Sequence, residues 1–264
     1  GIDLPGVNVE TDLNKIPLPD NNVNLEQVEL KPSTEPMLHE GLHTEEDFQR
    51  IRDKKAAGEE PWVSAYQLLV ESQFSQKTAD TYPTEWIKRG ISGDENYMNA
   101  ARGATIVYQQ ALRWKIEQDD EYAAKAVENL NKWVQTCVGV TGNTNLSLAA
   151  GLYGYEFAIA GELLRDYGGW DRADFAAFQN WLLKVFYPAN DDFLKRHHDT
   201  NALHYWANWC LCNIAAKMAI GIVTDRRDIY NEGIAHLQTG DTNGRLRRAI
   251  YHDYAPDYNF CLLY

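Results

Sequence analysis

NYMNAARGATIVYQQALRWKIEQDDEYAAKAVENLNKWV, residues 96–134, decides the fold class of this sequence. In its first half the apolar residues recur every three or four positions, the spacing of one face of an α-helix, at Ala100, Ala104, Val107, Tyr108, Ala111, Leu112 and Trp114. An acidic turn follows at Asp119, and the same spacing then continues to Val134. Two helices joined by so short a turn lie side by side, so the stretch predicts a helical hairpin.

The same pattern returns further along the chain. Residues 146–167 and 171–187 predict a second hairpin, broken at Gly168 and Gly169, and a third is predicted by residues 202–223 and 226–237. Helix pairs that return every roughly 40–55 residues, without strand-like alternation, indicate an all-α array of α/α hairpins. The period by itself fits an open solenoid and a closed ring equally well.

The chain divides into an arm and a domain. Residues 1–37 show no helical period and carry five prolines, at Pro5, Pro17, Pro19, Pro32 and Pro36, so they predict an extended N-terminal arm. Residues 38–264 are expected to form one helical domain, since 264 residues with 44% hydrophobic composition suffice for a single large core. Thr44, followed by three acidic residues, predicts the start of its first helix, and Pro61 the start of the next.

Between these helices and the first hairpin lies a long connection, residues 76–94. Pro83, Gly90 and Gly93 predict irregular backbone around Trp86, Lys88 and Arg89. An exposed tryptophan with two cations suits the wall of a binding cleft, and a solvated surface loop is an equally good interpretation.

Charge and cysteine content exclude several classes of protein. A formal net charge of −13 and a pI near 4.9 disfavour nucleic acid and anionic membranes as partners, because both would be repelled. No apolar run reaches membrane-spanning length and no apolar leader precedes Gly1, so a mature or cytosolic chain is expected. Four cysteines do not indicate a disulfide framework, and no second Cys or His pair has zinc-ligand spacing. We expect no metal and no organic cofactor.

HHDTNALHYWANWCLCN, residues 197–213, is the stretch richest in groups that carry chemistry. It contains three of the seven histidines, whose ordinary pKa lies near physiological pH, and Trp206 and Trp209, whose flat faces can stack on sugar rings. The alternative is structural, since an aromatic stripe at helical spacing is more often core.

Several segments together resemble one family. They are HEGLHTEEDFQRIRDKKAAGEEPW (39–62), ARGATIVYQQALRWKIEQDDEYAAKAVENLNKW (101–133), TGNTNLSLAAGLYGYEFA (141–158), VFYPANDDFL (185–194), HYWANWCLCNIA (204–215) and AIGIVTDRRDIYNEG (219–233). Over residues 38–244 the chain resembles the alginate and glucuronan lyases of polysaccharide lyase family thirty-eight. This resemblance implies an (α/α) toroid, here an incomplete α/α barrel, that cleaves an acidic polysaccharide by β-elimination without a cofactor. It also implies a secreted or extracellular protein, periplasmic in a bacterium.

The resemblance also implies site residues. His204 matches the histidine of the family's HYWANW element and is the first candidate for a base or carboxylate contact, with His197 second. Asn143 or Asn145 matches the amide that neutralises the substrate carboxylate, although either could simply cap a helix. Asn145 begins the glycosylation sequon Asn145-Leu146-Ser147, which favours Asn143. The expected substrate contacts are Arg89, Asn145, Tyr205, Trp206, Trp209 and Arg248.

The sequence departs from the family after Asn243-Gly244. The family continues into a Gly- and Gln-rich segment, whereas this chain reads RLRRAIYHDYAPDYNFCLLY. A catalytic tyrosine or arginine would then come from Tyr254, Tyr251, Tyr258, Arg245 or Arg248. A shortened toroid would leave an apolar face that the arm or a second copy, as a homodimer, could cover.

A polyuronate substrate requires local cations in this acidic protein. The candidates are Arg89, Arg102, Arg113, Lys195, Arg196, Arg245, Arg247 and Arg248. Two other functions stay open: a glycan-binding or vestigial protein that keeps the cleft, and, with less support, a glycoside hydrolase using two of Asp191, Asp192 and Asp199.

Overall fold

The computed structural model describes residues 39, 41–205, 207–242, 244, 245 and 249. It is 69% helix and 4% strand, which confirms the predicted all-α class. Across the described ranges, no helix has the length and apolar character needed to cross a membrane. The predicted arm, residues 1–37, lies outside the described residues.

Nine helices and two strands are found in this part of the chain. In order they are α1 (Glu45–Ala56), α2 (Trp62–Glu71), β1 (Trp86–Arg89), α3 (Tyr97–Glu117), α4 (Asp120–Thr136), β2 (Gly139–Gly142), α5 (Asn145–Leu164), α6 (Arg172–Val185), α7 (Tyr187–Arg196), α8 (Ala207–Val223) and α9 (Arg227–Thr239). Short 3₁₀ turns occupy Gln73–Ser75 and His197–Asp199.

The first helix begins where the sequence predicts. The Thr44 hydroxyl accepts from the Asp47 backbone N–H at 3.1 Å, and the Asp47 carboxylate accepts from the Thr44 N–H at 2.9 Å. This reciprocal capping box satisfies two donors that a helix N-terminus leaves open. Phe48, 1% exposed, then fixes α1 against the core.

The three predicted hairpins are α3–α4, α5–α6 and α8–α9. Gln118, in the left-handed conformation, ends α3, and the Asp119 side chain caps α4 by accepting from the Glu121 N–H. Two predictions need correction. The third hairpin begins at Ala207, later than the predicted 202, and α7 was not predicted, although Pro188 in its first turn is typical of a helix start.

Helices α3, α5 and α8 form a layer in which all three run in the same direction. Thr105 on α3 donates to Glu156 on α5 at 3.1 Å. A Cβ on Gly151 of α5 would lie 2.5 Å from the Cys212 sulfur of α8, so glycine permits this close approach. Near the other end, Arg165 of α5 donates to the Val223 carbonyl at 3.0 Å. The N-termini of the three helices therefore lie at one end of the layer.

A short parallel sheet lies at that same end and corrects the prediction of an irregular connection over residues 76–94. Trp86 to Arg89 of β1 pair in register with Gly139 to Gly142 of β2. Ile87 is fully buried, whereas Trp86 is 43% exposed, as the sequence predicts. Because both strands run toward the helix N-termini, the sheet delivers Arg89 and the residues after Gly142 to one place.

Candidate active site at the N-terminal end of the helix layer

Arg89, the last residue of β1, lies with its guanidinium over the Tyr97 ring, 4.6 Å from the ring centroid. Its Nη1 atom is buried and has no hydrogen-bond partner among the residues that the structure describes. A buried cationic donor without an acceptor is unfavourable, because it has lost water without gaining a partner. This guanidinium is therefore poised to accept an anionic ligand.

Asn143 lies beside Arg89 and leads into α5. Its Oδ1 accepts from the backbone N–H and the side-chain Nδ2 of Asn145, each at 2.9 Å. A Cβ on Gly90 would lie 1.9 Å from that oxygen, and the φ of Gly90 is +82°, so position 90 requires glycine for space and for conformation. Asn143 thus caps the helix with its oxygen, and within the described ranges no acceptor occupies its Nδ2.

The charge of Arg89 acts on one side chain of α5 and on one of α8. Burial raises the pKa of Tyr153 to about 12, and the Arg89 charge partly opposes this rise. Burial likewise raises the pKa of Cys212 to about 12, again with a smaller opposing effect of Arg89. Tyr153 therefore stays protonated at neutral pH. The sequence had no signal for Tyr97 or Tyr153 as neighbours of Arg89.

His198 reaches across to α5, where its Nε2 lies 2.8 Å from the Ser147 hydroxyl. A buried amide relay supports that contact: Asn213 donates to the Ser147 carbonyl at 3.2 Å, and Asn190 donates to the Asn213 Oδ1 at 2.8 Å. Ser147, Asn213 and Asn190 are 0–1% exposed. The sequence pattern did not single out His198, which joins the loop before α8 to α5.

The segment that carries this histidine has an uncommon backbone. His197, His198 and Asp199 have φ values of 46°, 52° and 60°, the left-handed region that side chains other than glycine rarely adopt. Each such residue costs about 1–3 kcal/mol unless its surroundings hold it. Two contacts hold this segment in its left-handed conformation. His198 Nε2 bonds to the Ser147 hydroxyl, and the Thr200 hydroxyl donates to the His197 carbonyl at 2.5 Å.

His197, the second candidate from sequence, points into the protein. It is 2% exposed, its ring centroid is 4.8 Å from that of Phe193, and its Nε2 is 3.7 Å from the Cys210 sulfur. Burial lowers the pKa of His197, which favours the neutral imidazole. In this position His197 supports the loop instead of facing solvent.

His204 is exposed on the same loop. Its ring packs edge-on against Tyr205 at 5.0 Å, and Tyr205 packs on Trp209 at 5.0 Å and on Phe193 at 5.2 Å. Tyr205, Trp209 and Phe193 therefore form an aromatic wall beside the exposed histidine. Trp206 lies outside the described residues and stays a prediction, as do Arg248 and Tyr254.

Three of the six candidate cations that the structure describes are paired with carboxylates, so these three are not available for the predicted basic cleft. Buried Arg113 is bound to Glu117, Lys195 is 2.7 Å from Asp191, and Arg196 is bound to Asp192 and Asp199. These ion pairs also engage Asp191, Asp192 and Asp199, the three acids considered for a glycoside hydrolase. Among the described residues, Arg89 and Arg102 have no carboxylate within salt-bridge distance. Arg245 donates to the Gln238 carbonyl at 3.2 Å, and Arg247 lies outside this part of the chain.

No metal centre is found in the described part of the chain, where no three His, Cys, Asp or Glu side chains converge. Cys137 and Cys212 are free thiols.

An array of helical hairpins with an unpaired arginine, an amide and an imidazole at one end has the groups that acid–base chemistry on an anionic ligand requires. The model of the alginate lyase family matches residues 51–249. Since this match covers most of the chain, the protein belongs to the alginate lyase family, and the family supports polysaccharide lyase activity in general. A search of curated proteins finds no match.

Proposed function

We propose that the protein cleaves a uronate polymer by β-elimination at the end where Arg89, Asn143 and His204 lie. The observation that carries this proposal is the buried, unpartnered Nη1 of Arg89. A bound carboxylate would supply the missing acceptor, and charge-assisted bonds of this kind are among the strongest in proteins. In a chain of net charge −13, where carboxylates are plentiful, an arginine whose Nη1 is buried without an acceptor among the described residues is unfavourable unless such a ligand binds.

The reaction needs three groups. Arg89 and the Nδ2 of Asn143 neutralise the carboxylate at C6, which makes the proton at C5 acidic enough to remove. A base takes that proton, the electron pair of the C5–H bond forms the C4–C5 double bond, and the C4–O4 bond breaks. An acid then gives a proton to O4 of the departing sugar, so that no oxidant or water is consumed.

His204 serves as the base in this proposal. It is exposed, and no hydrogen bond from the described residues occupies its ring, so it can meet a substrate. His198, through its bond to Ser147, and buried His197 act as positioning residues that hold the His204 loop in its left-handed conformation. The proton donor is a tyrosine: Tyr97 lies against Arg89, and Tyr254 is the candidate from the last stretch of the chain.

Finer assignments follow from the same reasoning. We propose membership of polysaccharide lyase family thirty-eight, with α3, α5 and α8 as inner helices of an (α/α) toroid, because inner helices of such a ring run in one direction. Alginate or glucuronan is the proposed substrate, and secretion is proposed because a polymer does not cross a membrane unaided.

The exposed Leu152 and Leu203, 42% and 49% accessible, are consistent with a homodimer contact.

The test is the ultraviolet absorbance of reaction mixtures containing alginate, glucuronan or an uncharged glucan. A lyase creates a conjugated double bond, so absorbance should rise with a uronate polymer and stay flat with the glucan. Binding without a rise would instead support the glycan-binding protein. New reducing ends without a rise would support a hydrolase, and either result would overturn the proposal.

A further inference from the structure

A cavity of about 240 Å³, with a mixed polar and apolar lining, lies between α3 and the segment before β1. Its lining includes Asn99 and Arg102 on the first turns of α3, and Asp80 and Tyr82 on the facing segment. Its volume is smaller than the roughly 300–1,000 Å³ of pockets that hold drug-sized ligands, so the cavity suits about one sugar ring. None of the residues assigned above to the cleavage reaction lines this cavity.

The segment that forms the outer wall is held by buried amides. Gln110 donates to the Gln76 and Ala79 carbonyls at 2.9 and 3.1 Å, and Asn129 donates to the Ala79 carbonyl at 2.9 Å. The Thr81 N–H in turn donates to Asn129 Oδ1 at 3.2 Å. Both amide side chains are 0% exposed, so the wall is fixed before any ligand arrives.

The fixed wall presents groups that recognise an acidic sugar. Tyr82 is 74% exposed, which leaves its ring available for stacking on a sugar face. Arg102 is exposed and has no hydrogen-bond or ion-pair partner among the described residues. The one acid in the lining, Asp80, is neutralised by Lys125 and Lys132 at 2.5 and 3.4 Å. An anionic ring would therefore meet an unpaired cation without meeting an unpaired carboxylate.

We propose that this cavity is a distal subsite that binds a second uronate residue of the same polymer, with Arg102 on its carboxylate and Tyr82 on its ring. The inference rests on the proposed lyase function and adds to it a preference for long substrates. Tyr97, which contacts Arg89, and Arg102 are separated by about 7.5 Å along the axis of α3, given a rise of about 1.5 Å per residue. Five residues also turn about 140° around the helix, so a polymer that meets both arginines passes around the first turns of α3 and not straight along one face.

The experiment compares the wild-type protein with Arg102→Gln on the shortest uronate oligomer that is cleaved and on a uronate octasaccharide. Arg102→Gln should raise KM for the octasaccharide about fivefold to tenfold, the effect of losing one partly exposed charged contact, with kcat within about twofold. KM for the shortest oligomer should not change. Tyr82→Ala should act like Arg102→Gln, and Tyr82→Phe should retain wild-type KM because it keeps the stacking face. Lys184→Gln, which removes an exposed, unpaired cation on α6, is the matched control.

Two results would overturn the subsite: equal KM values for wild-type and Arg102→Gln protein on the octasaccharide, or an equal rise for both lengths, which would make Arg102 part of the cleavage site. Isothermal titration calorimetry with the octasaccharide separates this question from catalysis. If the wild-type protein cleaves no uronate polymer, the lyase proposal fails. The subsite is still supported by weaker octasaccharide binding of Arg102→Gln, and is rejected by equal binding.

Discussion

Gly90→Ala gives the sharpest test of the candidate site, because one methyl group would displace Asn143, the amide proposed to contact the substrate carboxylate. The added Cβ would lie 1.9 Å from Asn143 Oδ1, whereas ordinary contacts begin near 3.4 Å, so Asn143 must move by about 1.5 Å. A misplacement of about 1 Å in a catalytic group can lower the rate on the order of a hundredfold. We therefore expect kcat on a uronate polymer to fall by about that factor.

Gly93→Ala is the matched control in the same connection. Its φ is +77°, close to the +82° of Gly90, but a Cβ there meets nothing within 4 Å. Both variants should lose about 1–2 kcal/mol of stability, since an alanine is forced into the left-handed region. Gly90→Ala should lose about 1 kcal/mol more, because the two bonds from Asn145 to Asn143 are disturbed.

The assay combines urea unfolding with initial rates measured by ultraviolet absorbance, both at a temperature where each variant is fully folded. Turnover should fall strongly in Gly90→Ala and stay within about twofold of the wild type in Gly93→Ala. Equal turnover in the two variants, with Gly90→Ala folded, would refute the role of Asn143. Direct replacement gives the same ranking: Asn143→Ala should reduce turnover more than Asn145→Ala, and the reverse order would identify Asn145 as the catalytic amide.

Three further predictions follow from the site and the core. His204→Ala should lower turnover at least about a hundredfold with the fold intact, and a folded, active variant would remove His204 from the mechanism. Arg89→Gln should raise KM, and wild-type KM should rise with ionic strength, because exposed charge attraction is screened within about 8 Å at physiological salt; a flat salt response would contradict this. Burial lowers the pKa of His236 to about 4 from an ordinary value near 6.5. Between pH 4 and pH 6.5 the imidazole is therefore protonated in the unfolded chain and neutral in the folded protein. The free energy of unfolding should keep its full His236 contribution above pH 6.5 and should fall by on the order of 2 kcal/mol as the pH is lowered toward 4. His236→Gln should reduce that loss in urea unfolding at pH 7 and pH 4.5, whereas identical losses in both proteins would show that His236 is not responsible.

The helices were predictable because their signals are local. An apolar face at helical spacing and a capping hydroxyl act over a few residues. Helix α1 therefore begins, and α3 and α4 begin and end, within a few residues of the predicted bounds. Neighbouring residues also predicted that Trp86 is exposed and that Asn143 caps the start of α5. The sequence alone therefore determined the all-α class and the array of hairpins.

The tertiary structure decided which polar groups are available, because pairing depends on residues that are distant in the chain. Arg113, Lys195 and Arg196 look like cleft cations in sequence and prove to be neutralised, whereas Arg89 has no ion-pair partner in the part of the chain that the structure describes. The parallel pairing of β1 with β2 joins segments about fifty residues apart, so neither short strand has a local signal. His198 meets Ser147 only after α5 and α8 pack together through Gly151, and no spacing within one element encodes that contact.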